Sequence, residues 1–262
     1  MAIHWDSAQA LKGTLADDRI WPMFRGLYHL ASNPRARAEW RWIALCKISQ
    51  WLIPGYRLIW PQMRWWQDEE FNNYLRRFNE FGGYNSDRRR IIQQLLKLVR
   101  NVPGDTAECG VMAGSSSYLI CKALPDRAHF MFDSFEGCSA PTGRDSGYHG
   151  VSDLAVSLEQ AQEKLRDCPN GRFMKGWIPA RFPEIADRRF AFVHIDVQLE
   201  QPTRDSLEFF YPRMNPGGII VFDDYGFTTC PGARHAIDEF METKAEPIVD
   251  LPTGSAFLIR GN

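Results

Sequence analysis

The chain has 262 residues, 44% of them hydrophobic, enough for one α/β catalytic domain with a full core and an accessory segment. A formal net charge of −1 gives no overall field to draw in nucleic acid, which excludes that class of partner. Six cysteines, at 46, 109, 121, 138, 168 and 230, form no CxxC pair, which argues against a zinc cluster and a disulfide framework and points to a reducing, cytoplasmic compartment.

In chain order, residues 1–85 read as a Trp-rich accessory region with helical pieces. Eight of the nine tryptophans (5, 21, 40, 42, 51, 60, 65, 66) lie here. The start lacks a cationic segment followed by an apolar run, so no signal peptide is expected. Between 40 and 60 the apolar run is broken by Arg41, Lys47, Gln50, Pro54 and Arg57, too often for a spanning helix. Residues 33–66 carry six basic side chains (35, 37, 41, 47, 57, 64) against the single acid Glu39, interleaved with Trp, Ile and Leu. Such a surface suits a helical cap on the catalytic domain, a homo-oligomer interface, a sugar-stacking face, or a peripheral contact at the inner face of a membrane.

From Ser86 the pattern changes, and residues 86–262 read as the catalytic domain. Ser86-Asp-Arg-Arg-Arg90 starts a helix whose apolar face is Ile91, Ile92, Leu95, Leu96, Leu98 and Val99, ended by Asn101-Val-Pro-Gly104. Strands are predicted at 106–111, 129–133, 172–175, 190–196 and 218–223. Helices are predicted at 115–123, 154–166, 203–211 and 232–243. An antiparallel pair, 248–251 with 256–260, closes the chain. Strand–helix alternation predicts a doubly wound, mostly parallel sheet, with ligands at the carboxyl ends of its strands.

Those ends carry acids: Glu108, Asp133, Asp196 and the pair Asp223–Asp224. Four acidic strand ends on one edge need compensation by a cationic ligand, hydroxyl donors or a metal. The first turn, Glu108-Cys-Gly110-Val-Met-Ala-Gly114-Ser-Ser-Ser117, has glycines that let a ligand approach and a helix start that offers free N–H groups. It is not G-x-G-x-x-G. Glu108 would repel a pyrophosphate but suits a ligand bearing ammonium and sulfonium groups, which tilts the reading from a dinucleotide to S-adenosyl-L-methionine. Asp133, 25 residues on, is placed to accept both ribose hydroxyls. The alternative is an ordinary strand–helix turn with a capping acid.

Asp196, Asp223 and Asp224 form a second constellation of hard oxygen donors, suited to Mg2+, Mn2+ or Ca2+. A metal there would stabilise an acceptor alkoxide; otherwise the acids cap helices or pair with Arg204 or Arg234. His149, in the Gly143–Gly150 stretch read as a lid, and His235 are rival bases, whereas His194, inside a strand, reads as a core residue.

These residues fall within longer stretches: Val102-Pro-Gly-Asp-Thr-Ala-Glu-Cys-Gly-Val111, Phe132-Asp-Ser-Phe-Glu-Gly137, Phe192-Val-His-Ile-Asp-Val197, Tyr211 through Gly226, and Pro231 through Phe240. Together they resemble the macrocin O-methyltransferase family, whose members methylate sugar hydroxyls. The resemblance implies a Rossmann-like class I methyltransferase fold, S-adenosyl-L-methionine as donor, and Mg2+ (or Mn2+) on Asp196, Asp223 and Asp224, with Asp196 as general base. It implies Glu108, Gly110, Ser115 and Ser116 at the methionine part of the cofactor, Asp133 and Ser134 at the ribose, and Gly176 with Trp177 near the adenine. Three features depart from the family: the first turn reads Ala113-Gly-Ser115 where Arg-Gly-Gly is common, Gln198 stands where an acid is usual, and Glu200 where an aromatic is usual. The acceptor is expected to be a hydroxyl of a sugar on a glycan, lipid-linked saccharide or natural product. A phenolic or catechol-like acceptor and a non-catalytic, cofactor-binding scaffold are the rival readings; a nucleotide-dependent oxidoreductase is disfavoured by Glu108.

Overall fold

The computed structural model describes residues 34–53, 63–80 and 85–261, and of residues 34–39 the backbone only. Trp5, Trp21 and Trp60 lie outside the described residues. The chain divides into two compact units between Gln67 and Asp68. In the first, helix α1 (Pro34–Leu52) starts on a proline, whose fixed φ and missing N–H suit the first helical position. Among its described side chains Trp40, Leu45, Ile48, Trp51 and Leu52 are exposed, Trp51 at 81%. No helix among the described residues is long and apolar enough to cross a membrane.

The second unit opens with α2 (Glu69–Arg77), ahead of the boundary expected at residue 85. Asp68 caps it by accepting from Phe71 N at 3.1 Å, and acids in the first turn and arginines in the last complement the helix dipole. Its buried face, Phe71, Tyr74 and Leu75, reaches α4 (Ser115–Ala123), where Tyr74 stacks on Tyr118 with centroids 5.9 Å apart. Helix α3 (Ser86–Leu98) also packs on α4.

Seven strands follow: β1 (Asp105–Cys109), β2 (His129–Asp133), β3 (Gly171–Lys175), β4 (Phe190–Ile195), β5 (Met214–Phe222), β6 (Val249–Asp250) and β7 (Ala256–Ile259). Their order is β3-β2-β1-β4-β5-β7-β6; β1 to β5 are parallel, and β7 is antiparallel to both β5 and β6. The expected doubly wound sheet and its antiparallel closing pair are therefore present. Strand order reverses between β1 and β4, the switch point at which such sheets hold ligands.

Three helices begin away from their expected positions. Helix α5 (Leu158–Lys164) starts four residues later than expected, because Ser157 and Gln160 form a capping box. Helices α6 (Glu200–Phe210) and α7 (Pro231–Met241) start earlier, each with a proline in its first turn.

Side-chain alternation along the strands separates two layers. One face, with Cys109, Phe132, Val193 and Phe222, packs on Leu207 and Phe210 of α6 and Ile237 of α7, and its rings meet edge to face (Phe132–Phe182 at 4.9 Å, Phe190–Phe210 at 5.0 Å). The other face carries Thr106, Glu108, His129 and His194, all buried, toward Ser117 of α4 and arginines of α3. That polar layer positions the site.

Candidate active site

A cavity of about 650 Å3 lies at the carboxyl ends of β1, β2 and β4. Of the residues predicted from sequence it brings together Gly110, Ser115, Ser116, Asp133, Ser134, Trp177 and Asp196. Gly110 has φ +87°, and a Cβ there would sit 1.8 Å from the carbonyl oxygen of Asp196. Only hydrogen fits, so the first turn rests directly on the end of β4. Asp133 accepts from Val111 N at 2.7 Å and Met112 N at 2.9 Å through one oxygen, and from Phe135 N at 2.7 Å through the other. A carboxylate offers about four acceptor positions, so capacity remains for a hydroxyl donor. Ser134 donates to Gly137 O at 3.1 Å, and Trp177 is 44% exposed at the rim.

Glu108 and Gly176 do not line this cavity. Strand alternation turns Glu108 onto the polar face, where it is 1% exposed; it accepts from His194 Nδ1 at 2.7 Å and from the Ser117 hydroxyl. Glu108 thus lies beneath the turn rather than on the cavity wall, its charge met by the His194 imidazole. Burial works against the charge of His194, yet the Asp223 carboxylate, 3.7 Å from Nε2, and the Glu108 carboxylate, to which Nδ1 donates, raise its pKa to about 10. His129 is moved the other way, to about 4, chiefly by burial. It sits between the Thr106 hydroxyl, 2.9 Å from Nδ1, and the Ser117 hydroxyl, 3.1 Å from Nε2. Gly176 instead ties β3 to β2, donating its N–H to Asp133 O at 2.9 Å.

The three metal candidates do converge, around a residue that sequence reading left unassigned. Arg88 Nη2 is ion-paired to Asp223 Oδ2 and stands 3.9 Å from both Asp196 Oδ1 and Asp224 Oδ1. Asp223 also accepts from Ser255 Oγ at 2.8 Å and meets Arg89 Nη1 at 3.4 Å, and Arg89 in turn pairs with Glu80 at 3.0 Å. Neither Arg204 nor Arg234 is involved: the first pairs with Glu239 and Glu200, the second with Asp238. The signal available in sequence was the Arg88-Arg-Arg90 run, which reads only as a helix start.

Electrostatics separate the three acids. Burial would raise Asp223, but Arg88, with His194 and Arg89, holds it well below the ordinary carboxylate range. Asp196 is raised well above that range by burial and then by Asp223 and Asp224, and Asp224 is raised by burial and Asp223. The cluster is short of positive charge, and its donors are hard oxygens, so the residues fit a divalent cation such as Mg2+ or Mn2+. His194 Nε2 is buried without a hydrogen-bond partner, 3.7 Å from Asp223 Oδ1, so the imidazole meets the cluster as a charge.

Gln198, at φ +59°, laces the cluster: its N–H donates to Asp224 Oδ2 at 2.9 Å and its amide to Asp196 Oδ1 at 2.8 Å. Glu200 faces away, accepting from Thr142 Oγ1 at 3.1 Å and Arg144 Nη1 at 2.9 Å, while its own N–H donates to Asp145 Oδ1 at 2.9 Å. It thereby fastens the Gly143–Gly150 stretch to α6. His149 and His235 do not line the cavity; His235 lies beside Arg144 and, at 3.4 Å, Glu239.

Residues 86–257 match the macrocin-O-methyltransferase (TylF) family. Two curated relatives come from Streptomyces. The 8-demethyl-8-(2,3-dimethoxy-alpha-L-rhamnosyl)-tetracenomycin-C 4'-O-methyltransferase of Streptomyces olivaceus is 35% identical over 159 residues, 53% of this chain and 59% of the relative. The demethyldecarbamoylnovobiocin O-methyltransferase of Streptomyces niveus is 32% identical over 158 residues, with the same shares covered. The chain thus spans 59% of the length of these two relatives. Among solved structures, the O-methyltransferase NovP is 27% identical with a TM-score of 0.60, over 70% of this chain and 84% of that one.

Proposed function

Since the chain belongs to the macrocin-O-methyltransferase family, we propose that it transfers a methyl group from S-adenosyl-L-methionine to a hydroxyl of a sugar on a small-molecule glycoside, assisted by Mg2+ or Mn2+. The observation that carries this reading is one cavity joining the Gly110 turn and Asp133 to Asp196, at the edge of an acid cluster short of positive charge. The 35%-identical relative is named for a rhamnosyl substrate, which supports a deoxysugar acceptor.

Asp133, Ser115, Ser116 and the backbone around Gly110 would hold the donor, with Ser134 and Trp177 along its far end. Asp196, Asp223 and Asp224 would hold the metal. When bound, the metal supplies Lewis acidity that lowers the acceptor hydroxyl's pKa. Asp196, the one acid of the three on the cavity wall, would take the proton. Positioning carries most of the acceleration, because methyl transfer requires no covalent participation by the protein.

The test is methyl incorporation from labelled S-adenosyl-L-methionine into rhamnosyl glycosides and into a catechol, with Mg2+ and after EDTA. Methylated glycoside that disappears with EDTA and returns with Mg2+ supports the reading. Full turnover by metal-free protein would sink the metal role, and a preference for catechol would sink the sugar. Donor binding without transfer to any hydroxyl would favour a scaffold.

The exposed Trp40, Ile48, Trp51 and Leu52 of α1, flanked by Arg41 and Lys47, we read as a peripheral contact with an anionic membrane surface. Co-sedimentation with anionic liposomes, lost on deletion of residues 1–67, supports this. Self-association of the full chain without liposome binding would assign the same face to a homo-oligomer instead.

A further inference from the structure

We propose that Arg88 is the resident counter-ion of the metal-free site and that a divalent cation binds by displacing it. The proposal rests on the metal reading above and concerns a residue on α3, far in sequence from the three acids.

Four observations carry it. First, one nitrogen, Arg88 Nη2, is the point on which all three acids converge: paired to Asp223 and 3.9 Å from an oxygen of each of the other two. Second, the guanidinium is built in. Nη1 donates to Asn85 Oδ1 at 3.1 Å, Nη2 also reaches Asp223 O at 3.2 Å, and the group lies 4.9 Å from the Phe227 ring centroid. Third, the fit is incomplete, since Nε is buried without a hydrogen-bond partner, which lowers the cost of leaving. Fourth, the guanidinium reaches only Asp223 at hydrogen-bond distance and leaves Asp196 and Asp224 3.9 Å away, beyond it.

A cation drawing oxygens from the three acids needs them at about 2.0–2.6 Å, and a positively charged nitrogen cannot share that point. The two occupants are therefore alternatives. Arg89 is differently placed. It is anchored by Glu80 at 3.0 Å and reaches Asp223 at 3.4 Å from the side, so it neutralises Asp223 in either state. Arg88 thus keeps the acids together before loading and makes occupancy of the site an exchange of one cation for another.

The test is Mn2+ binding to the full chain without donor or acceptor, followed by electron paramagnetic resonance, alongside melting in EDTA and in excess Mn2+. Arg88→Gln should bind Mn2+ roughly tenfold or more tightly than wild type, because no charge-assisted pair has to be broken. It should also melt lower in EDTA and gain more from Mn2+ than wild type does. Arg88→Lys, which keeps the charge but not the fork, should lie between the two. Asn85→Ala loosens the guanidinium while leaving every carboxylate paired; it should tighten Mn2+ modestly and decides the matter if Arg88→Gln does not fold. Unchanged or weaker Mn2+ binding in these variants, with wild type binding normally, overturns the displacement and leaves the metal reading intact. Absence of Mn2+ binding in wild type and variants alike overturns both.

Discussion

The acids at the ends of β2 and of β4–β5 look alike in the sequence and are stabilised in different ways. Asp133 is held by backbone N–H groups of the turns around it, partners that stay neutral and need not leave when a hydroxyl arrives. Asp223 is held by two guanidinium groups and an imidazole, and Asp196 and Asp224, which accept from Gln198, share the nearer of those guanidiniums at 3.9 Å. The first region is preorganised for a polar ligand at little cost, whereas the second is an electrostatic balance that any cation must disturb. The first is a matter of shape, the second a matter of charge.

The contact between the two regions is the place to break this comparison most severely. Gly110→Ala would drive a methyl group into the Asp196 carbonyl, and a loss of about 4 kcal/mol or more is expected in urea unfolding, with little folded protein recovered. Next, Asp223→Ala leaves Arg88 and Arg89 facing a buried vacancy and should cost roughly 3–5 kcal/mol. Asp133→Ala strands only turn N–H groups and should cost about 1–2 kcal/mol while donor affinity falls sharply. If the two aspartate variants proved equally destabilised by denaturant, the contrast would fail.

A pH series sharpens the polar layer beneath the turn. His129 has a pKa of about 4 in the folded protein against 6.5 ordinarily, so between those values the unfolded chain binds more protons. Stability from keeping His129 neutral is present above pH 6.5 and is lost as pH falls toward 4. Unfolding free energies at pH 7 and pH 5 should differ less in His129→Gln than in wild type. The smallest effect is expected far from both regions. Arg77, which pairs with the partly exposed Asp167 at 2.7 Å, should cost about 1 kcal/mol or less on substitution by Ala.

Much of this was legible in the sequence, for identifiable reasons. Strand ends are marked by apolar runs that stop at an acid, so Asp133 and Asp196 and the neighbouring Asp223–Asp224 could be placed at one edge. Which way a side chain points was harder. Glu108 pairs in register with His194, and its partners His129 and Ser117 come from β2 and α4, so its burial becomes visible only once the sheet is assembled. Arg88 was illegible for a related reason: its run of three arginines reads only as a helix start, and 135 residues separate it from Asp223. Helix starts shifted wherever a cap or proline outweighed the apolar period, as at Ser157 and Pro231.

The fastenings of the segment around Thr142–Ser146 carry a consequence for how such a chain can diverge. Thr142, Arg144 and Asp145 attach to Glu200, and Ser146 donates to Thr229 O, so these anchor points lie at or beside the starts of α6 and α7. None of those four bonds reaches the Gly110 turn or Asp133. The segment behaves as a detachable panel hung from the helical frame, and a relative could exchange it whole, admitting a different guest, while the machinery behind it is inherited unaltered.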